Sequence, residues 1–257
     1  MNYLVFCIYG RESRYNVGLI RNLQSLHLYY PKGHWRPLVV TDWDSLDPGT
    51  ADALRSFGSG TLDVLDVRTT VYKDRPGHFW RFAPFTEPPI LNGSDCVMIS
   101  LDTDSRPGER GFQCFDYWIR HIPYPLYTIL DHPAHAKGIM LGSFGVKTGS
   151  ARKLGFFQTI EDTLPGWLKN IPAEAQRYDG QISDESYFRD CLLPKFAPHL
   201  WTDDFRPVKR GKRASPGWRI APPPYDGPFI GERVHLDEHG CDMPVLLERT
   251  QRAASFK

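Results

Sequence analysis

The sequence predicts a single α/β domain with a central, mostly parallel (mixed) sheet flanked by helices, and three observations lead there. The first is a regular alternation of short apolar runs with amphipathic helical stretches, the pattern of βα units. The second is the run Val97-Met98-Ile99-Ser100-Leu101, which ends abruptly in Asp102-Thr103-Asp104-Ser105-Arg106, as a buried strand does when it delivers polar groups to the open edge of a sheet. The third is size: 257 residues with 41% hydrophobic content are ample for one large core.

In chain order, residues 3–9 read as the first strand, followed by the polar loop Gly10-Arg11-Glu12-Ser13-Arg14. Val17, Ile20, Leu23 and Leu26 then recur at helical spacing until Pro31. A second strand spans 36–41. Asp47-Pro48 places a cap before a proline at the first helical position and opens a helix to Phe57, after which Gly58 and Gly60 end it. Residues 61–67 form a third strand. Residues 73–82 mix aromatic and basic groups; Phe79 and Phe82 read as core, and Arg81 between them needs a carboxylate or a phosphate. Residues 109–120 put Phe112, Phe115, Trp118 and Ile119 on one helix face. Residues 125–130 are a further apolar run, ending in Asp131-His132-Pro133-Ala134-His135, and the proline there spoils a helical histidine pair for zinc. Gly142 and Gly145 allow close backbone approach to a ligand. Ser183-Asp184-Glu185 opens a late helix carrying Phe188 and Leu192. Residues 206–257 change character: basic, proline-rich and irregular, they divide from a catalytic unit at 1–205 and are expected to pack on it or cover it.

Composition excludes several classes. Thirty-one basic against 30 acidic residues leave a net charge of +1, so no global field recruits nucleic acid. Five cysteines at 7, 96, 114, 191 and 241, odd in number and without a Cys-x-x-Cys pair, favour reduced thiols and a cytoplasmic protein. No stretch approaches the roughly 20 apolar residues of a transmembrane segment, and the start reads as a strand, not a signal peptide.

The chemistry centres on Asp102 and Asp104. In an extended chain, residues two apart share a face, so the two carboxylates converge as hard oxygen ligands for Mn²⁺ or Mg²⁺, whose remaining positions go to water and phosphate. The bland alternative is a solvated turn. An EF-hand is excluded because Arg106 and Pro107 stand where a ligand and a glycine are needed, and the glycine-lysine spacing of a phosphate-binding Walker loop is absent.

The ordered set "CIYG", "YNVGLIRNLQS" with "YYP", "FWRF", "DTDSR" followed by "ER", "DHPAH", "GSFGVK" and "DESYFRDCLLP", with an echo in "FIGERV", resembles a family of nucleotide-sugar glycosyltransferases of the GT-A fold found in capsule-type glycan synthesis and in large algal viruses. The resemblance spans about residues 3–195. It implies a GT-A-like, Rossmann-like domain and transfer of a hexosyl or pentosyl group from a nucleoside-diphosphate sugar, a UDP-sugar on this reading, to a glycan or glycolipid hydroxyl. It also implies a cation on Asp102 and Asp104, with His199 or Asp203 as a further metal contact. Tyr9, Gly10, Arg11, Arg81, Asp102, Thr103, Arg106 and Gly142 become donor-side residues. Asp184, with Asp131 and Asp179 behind it, becomes the base that deprotonates the acceptor; the alternative role for Asp184 is a helix cap. A metal-dependent phosphohydrolase or a non-catalytic nucleotide-sugar-binding module are the competing classes.

Overall fold

The computed structural model describes residues 1–30, 34–57, 61–86, 95–106, 108–130, 139–171 and 184–204, together with two short strands at 234–236 and 242–244. Seven strands make one sheet: β1 (Asn2–Ile8), β2 (Trp35–Thr41), β3 (Asp63–Asp66), β4 (Val97–Leu101), β5 (Leu126–Leu130), β6 (Ser143–Lys147) and β7 (Leu200–Asp204), in the order β3-β2-β1-β4-β6-β5-β7. All pairings are parallel except those of β6, which runs antiparallel to both β4 and β5. The expected mixed α/β sheet is therefore present. Beyond it, β8 (Val234–Leu236) and β9 (Asp242–Pro244) form a two-stranded antiparallel pair. The proposed division at residue 205 falls where description stops, so it lies outside the described residues.

Helices cover both faces because side chains of buried strands point alternately up and down. On one face Leu4, Phe6, Ile8, Val39, Ile99 and Tyr127 pack with residues of α1 (Ser13–Ser25), α2 (Pro48–Ser56) and α4 (Glu109–His121), including Leu19, Leu54, Phe115 and Trp118. On the other, Val5, Leu38, Val40, Met98, Phe144 and Val146 meet Phe79 and Phe82 of a 3₁₀ segment, Gly77–Phe82, which runs on into α3 (Ala83–Thr86). Below α5 (Thr148–Lys153), α6 (Phe156–Lys169) adds Phe156, Ile160 and Leu164 to that second core, and the stretch from α7 (Asp184–Tyr187) through a π-helical turn, Phe188–Leu192, to α8 (Leu193–Phe196) adds Tyr187 and Phe188. Each fully buried Leu, Ile or Phe contributes about 1.5–3 kcal/mol, so these two layers fix the sheet and everything carried on its edges.

Local signals explain the boundaries. Asp47 caps α2 through its side chain, which accepts from the Thr50 amide at 3.1 Å, and Pro48 follows at the first helical position. Gly10 turns the chain just after β1 at φ +75°, a conformation that favours glycine. One expectation shifts. The buried positions of α1 are Asn16, Gly18, Leu19, Asn22 and Leu23, so the helix is rotated from the apolar stripe of Val17 and Ile20 and puts two asparagines and a glycine inward.

Candidate active site

The carboxyl ends of β1 to β4 lie along one edge of the sheet because these strands run parallel, and Tyr9 and Asp102 follow the last residues of β1 and β4 there. The strand carrying Asp102 ends at Leu101, one residue before the acidic pair. The backbone then turns: the Ser105 amide and hydroxyl both donate to the Asp102 carbonyl, at 3.4 and 3.0 Å. The premise that an extended chain aims Asp102 and Asp104 to one side is thus corrected; the pair sits in a tight turn. Asp102 keeps its side chain about one-third exposed, whereas Asp104 is buried.

That turn is fastened from below by α1. Asn22 donates from Nδ2 to the carbonyls of Thr103 (3.3 Å) and Ser105 (2.9 Å). Arg106 reaches the Thr103 and Ser105 carbonyls at 3.3 and 3.1 Å and Asn22 Oδ1 at 3.4 Å. In this geometry the Arg106 guanidinium holds the turn's backbone, and Thr103 is buried with its carbonyl serving these donors. Gly18 permits the contact, since a Cβ there would stand 2.2 Å from the Thr103 carbonyl oxygen. Neither Gly18 nor Asn22 was singled out from the sequence. The available signal was a glycine and an asparagine on the same helix face as Leu19 and Leu23, where a purely structural helix places apolar groups.

Around Asp102 the site closes on two sides. Arg81 donates from Nη2 to Asp102 Oδ1 at 3.2 Å, and its Nε stands 2.8 Å from Asp184 Oδ2. Only 15% of the Arg81 side chain is exposed. Burial works against its charge, but the two carboxylates outweigh burial and hold the guanidinium firmly protonated. From the far side, Gly142 packs so closely that a Cβ would lie 2.1 Å from Asp102 Oδ2. This proximity follows from the antiparallel course of β6, which pairs Leu101 with Ser143 and so brings the residue before β6 to the end of β4.

Asp184 is 13% exposed, and its other oxygen, Oδ1, accepts from the Glu185 amide at 2.9 Å. Its carboxylate thus meets the Glu185 amide of α7 and the Arg81 guanidinium at once. Asp131 and Asp179, the alternative bases, lie outside the described residues.

On the β1 side Tyr9 is exposed and its ring meets Trp80 edge-on at 5.8 Å. Gly77 lies under that ring, where a Cβ would come within 2.3 Å of Tyr9 Cγ, and its carbonyl accepts from the Cys7 thiol at 3.3 Å. Burial pushes the Cys7 thiol up to about 12, so it stays protonated at neutral pH. Gly10 and the exposed Arg11 continue the rim, with the Gly10 and Glu12 carbonyls bound by Asn16 Nδ2 at 3.1 and 3.0 Å.

The two further metal contacts do not join this centre. His199 immediately precedes β7, whose first residue pairs with Leu126 and so belongs to the row of Val146 and Met98, at the opposite end of the sheet from Asp102. Asp203 pairs with Ile129, on the row of Leu101 and so one residue short of Asp102, and is three strands away, about 14 Å at roughly 4.8 Å per strand; its oxygens accept from the Tyr127 hydroxyl and, at 3.0 Å, from Trp201 Nε1. Among the described residues no group of three or more His, Cys, Asp or Glu side chains could hold a metal ion. Asp102, about one-third exposed and backed by Gly142, is nonetheless a hard oxygen donor of the kind that suits a divalent cation taking its other ligands from water and phosphate.

Comparison with known proteins adds similarity of fold. No family model and no curated protein matches the chain. Among solved structures, the chain is similar to a mannosyltransferase from Pyrobaculum calidifontis in complex with GDP-Man and Mn²⁺ (13% identity, 60% of this chain and 46% of that chain, TM-score 0.43). It is also similar to mouse xyloside xylosyltransferase 1 (13% identity, 78% of this chain and 84% of that one, TM-score 0.49). A glycosyltransferase involved in glycosylation of the major capsid of PBCV-1 aligns at 11% identity over 79% of this chain and 80% of that one, with a TM-score of 0.44. The chain spans less than half the length of the mannosyltransferase. At these identities and TM-scores a likeness says nothing about chemistry. The fold class rests on the seven-stranded mixed sheet itself, and no described helix is long and apolar enough to cross a membrane.

Proposed function

We propose that this chain is a metal-dependent glycosyltransferase that moves a sugar from a nucleoside-diphosphate sugar to an acceptor hydroxyl. The observation that carries the reading is the notch at the carboxyl end of β4, where the Asp102 carboxylate is held between Arg81 and Gly142 and linked through Arg81 to Asp184. Asp102 and Asp104 would hold Mn²⁺ or Mg²⁺, and the bound cation would neutralise charge gathering on the departing diphosphate. Tyr9, Gly10 and Arg11 form the rim on which the nucleotide lies, with the aromatic ring open to a base and the positive φ of Gly10 letting backbone approach. The glycan or glycolipid acceptor and the UDP-sugar donor come from the resemblance in sequence.

Asp184 stays the first candidate for the base, with Asp131 and Asp179 next. Its present contacts set a condition on that role. Oδ1 accepts from the Glu185 amide, while Oδ2 stands 2.8 Å from Arg81 Nε without accepting a hydrogen bond, so Oδ2 is the oxygen that would take a proton from an acceptor hydroxyl, against the pull of the Arg81 charge. An Asp184→Asn exchange keeps an acceptor for the Glu185 amide but also strips Arg81 of a counter-ion, so lost turnover in that variant alone does not single out base catalysis.

The test is incubation with Mn²⁺ and a panel of sugar nucleotides headed by UDP-sugars, following slow donor hydrolysis. One donor should be consumed in a metal-dependent way, with release of free sugar and intact nucleoside diphosphate, and Asp102→Asn should abolish it. Release of inorganic phosphate instead would favour the phosphohydrolase. Tight binding with no turnover would favour the binding module.

A further inference from the structure

Arg81 occupies the place where positive charge is wanted. It is one cation between two carboxylates, 3.2 Å from Asp102 Oδ1 and 2.8 Å from Asp184 Oδ2, in a setting where 15% of its side chain is exposed. Removing either carboxylate's partner from such surroundings is costly, because a buried charge left unpaired forfeits its hydration. The same argument makes Arg81 a competitor. A divalent cation on Asp102 would face a fixed like charge a few ångströms away, with little water between to screen it. Arg81 has somewhere to retreat: its Nε donates to the His78 carbonyl at 3.4 Å and stands 2.8 Å from Asp184 Oδ2 as an ion pair, leaving the Nη2 contact to Asp102 separable. Asp102 does not follow, since Gly142 backs it on the other side.

We propose that Arg81 is a positioning residue that stands in for the metal, holding the Asp102 side chain in place while the site is empty and yielding it to the divalent cation when a nucleoside diphosphate supplies compensating negative charge. The inference rests on the reading of this notch as a metal and nucleotide site. It adds that metal and nucleotide bind with positive cooperativity and that Arg81 is the source. Without nucleotide the cation meets Arg81 alone. With it, the diphosphate's charge offsets the repulsion, and by linkage each ligand raises the other's affinity by the same factor.

The experiment is calorimetric titration of Mn²⁺ alone, and of Mn²⁺ with saturating UDP, into the parent chain, Arg81→Gln and Arg81→Lys. Arg81→Gln should bind Mn²⁺ alone more tightly than the parent, on the order of tenfold, as loss of a like charge next to a ligand requires. The added gain from UDP should shrink by a similar factor. Arg81→Lys, which keeps the charge, should stay near the parent. A residue that merely shaped the site would weaken metal binding when removed, so parent-like or poorer Mn²⁺ affinity in Arg81→Gln overturns the proposal while leaving the metal site standing. If Arg81→Gln melts without cooperativity in the absence of metal, Mn²⁺ should restore its melt and raise its midpoint more than the parent's; an equal or smaller rise also overturns it. Failure of the parent to bind Mn²⁺ even with UDP sinks the underlying reading, and this inference with it.

Discussion

Adding one methyl group at Gly142 tests how tightly the acidic notch is built. An alanine Cβ there would sit 2.1 Å from Asp102 Oδ2 and 2.5 Å from its Cγ. Ordinary C···O contacts are about 3.3 Å or longer, so roughly 1 Å has to be opened. The backbone of Gly142 has little freedom to supply it, because Leu141 and Ser143 on either side are 2% exposed and the Ser143 amide closes a turn onto Met140. The Asp102 side chain therefore swings, and its 3.2 Å contact with Arg81 lengthens. Overpacking of this kind typically costs about 1–3 kcal/mol. At about 2–4 °C per kcal/mol for a chain of this size, Gly142→Ala should lower the melting temperature by roughly 2–12 °C. Function should suffer more, since a 1 Å misplacement at a reacting centre costs on the order of 100-fold. The assay pairs a thermal melt with calorimetric titration of UDP in the presence and absence of Mn²⁺, and metal-supported binding should fall at least tenfold. Gly166→Ala is the control: it lies inside α6 with nothing within 4 Å of an added Cβ, and should stabilise by up to about 1 kcal/mol. Parent-like metal-supported binding in Gly142→Ala would refute the placement of Asp102 as the metal ligand.

Two other perturbations separate the scaffold from the site. Lys147 Nζ donates to the Trp118 and Ile119 carbonyls, at 3.1 and 3.2 Å, and to Ile122, closing the carboxyl end of α4; Lys147→Met should cost about 1–3 kcal/mol in a denaturant titration. It should leave Mn²⁺ binding unchanged, because Lys147 pairs with Val97 at the far end of β4, and a weakened metal site would argue against that separation. Asp203 has its carboxyl raised by burial despite its two donors. A raised folded value means that its stabilising contribution is complete below the unfolded value near 3.8 and is lost as pH rises through the folded value. The parent should therefore lose stability relative to Asp203→Asn on going from about pH 4 to neutrality, and a parent-minus-variant difference that stays flat or grows with pH would contradict the burial argument.

Much of the fold was legible because it depends on one-dimensional signals. β1, β2, β4 and β5 are apolar runs, and the Asp47-Pro48 cap announces α2. The position of Asp102 at the end of a buried strand was also readable, since an apolar run can stop abruptly at charge only where the chain leaves the core for solvent. What surrounds Asp102 was not. The contact with Gly142 depends on β6 running antiparallel, and strand direction leaves no mark on the residues of the strand itself. α6 was unassigned, although Phe156, Ile160, Leu164 and Trp167 recur at helical spacing, with Pro165 interrupting the pattern. The pairing of Arg81 was anticipated only as a need for an anion. That it is met by Asp102 and Asp184 together depends on contacts 21 residues apart for the first and far more for the second. The turn just beyond β4 matters most, because the face-sharing argument for Asp102 and Asp104 holds only while the chain stays extended past Leu101.

The fastening of the Asp102–Ser105 turn to α1 ties the aim of the acidic turn to the order in which this protein can fold. Asn22 and Ser105 are 83 positions apart, and Arg106 reaches back 84. Loop closure over such a span carries an entropy cost that local contacts do not, though it grows only slowly with length. The turn itself can form within a few residues of chain. Its orientation cannot: it is set only once β1 and α1 have met β4, so a nascent chain holds both carboxylates long before it can aim them. A metal ion arriving earlier would find two flexible aspartates of ordinary weak affinity. On the proposed reading, selective metal binding would double as a report that β1 and α1 have docked on β4, and amide exchange at Ser105 should be as slow as exchange in the middle of α1, because the same undocking exposes both.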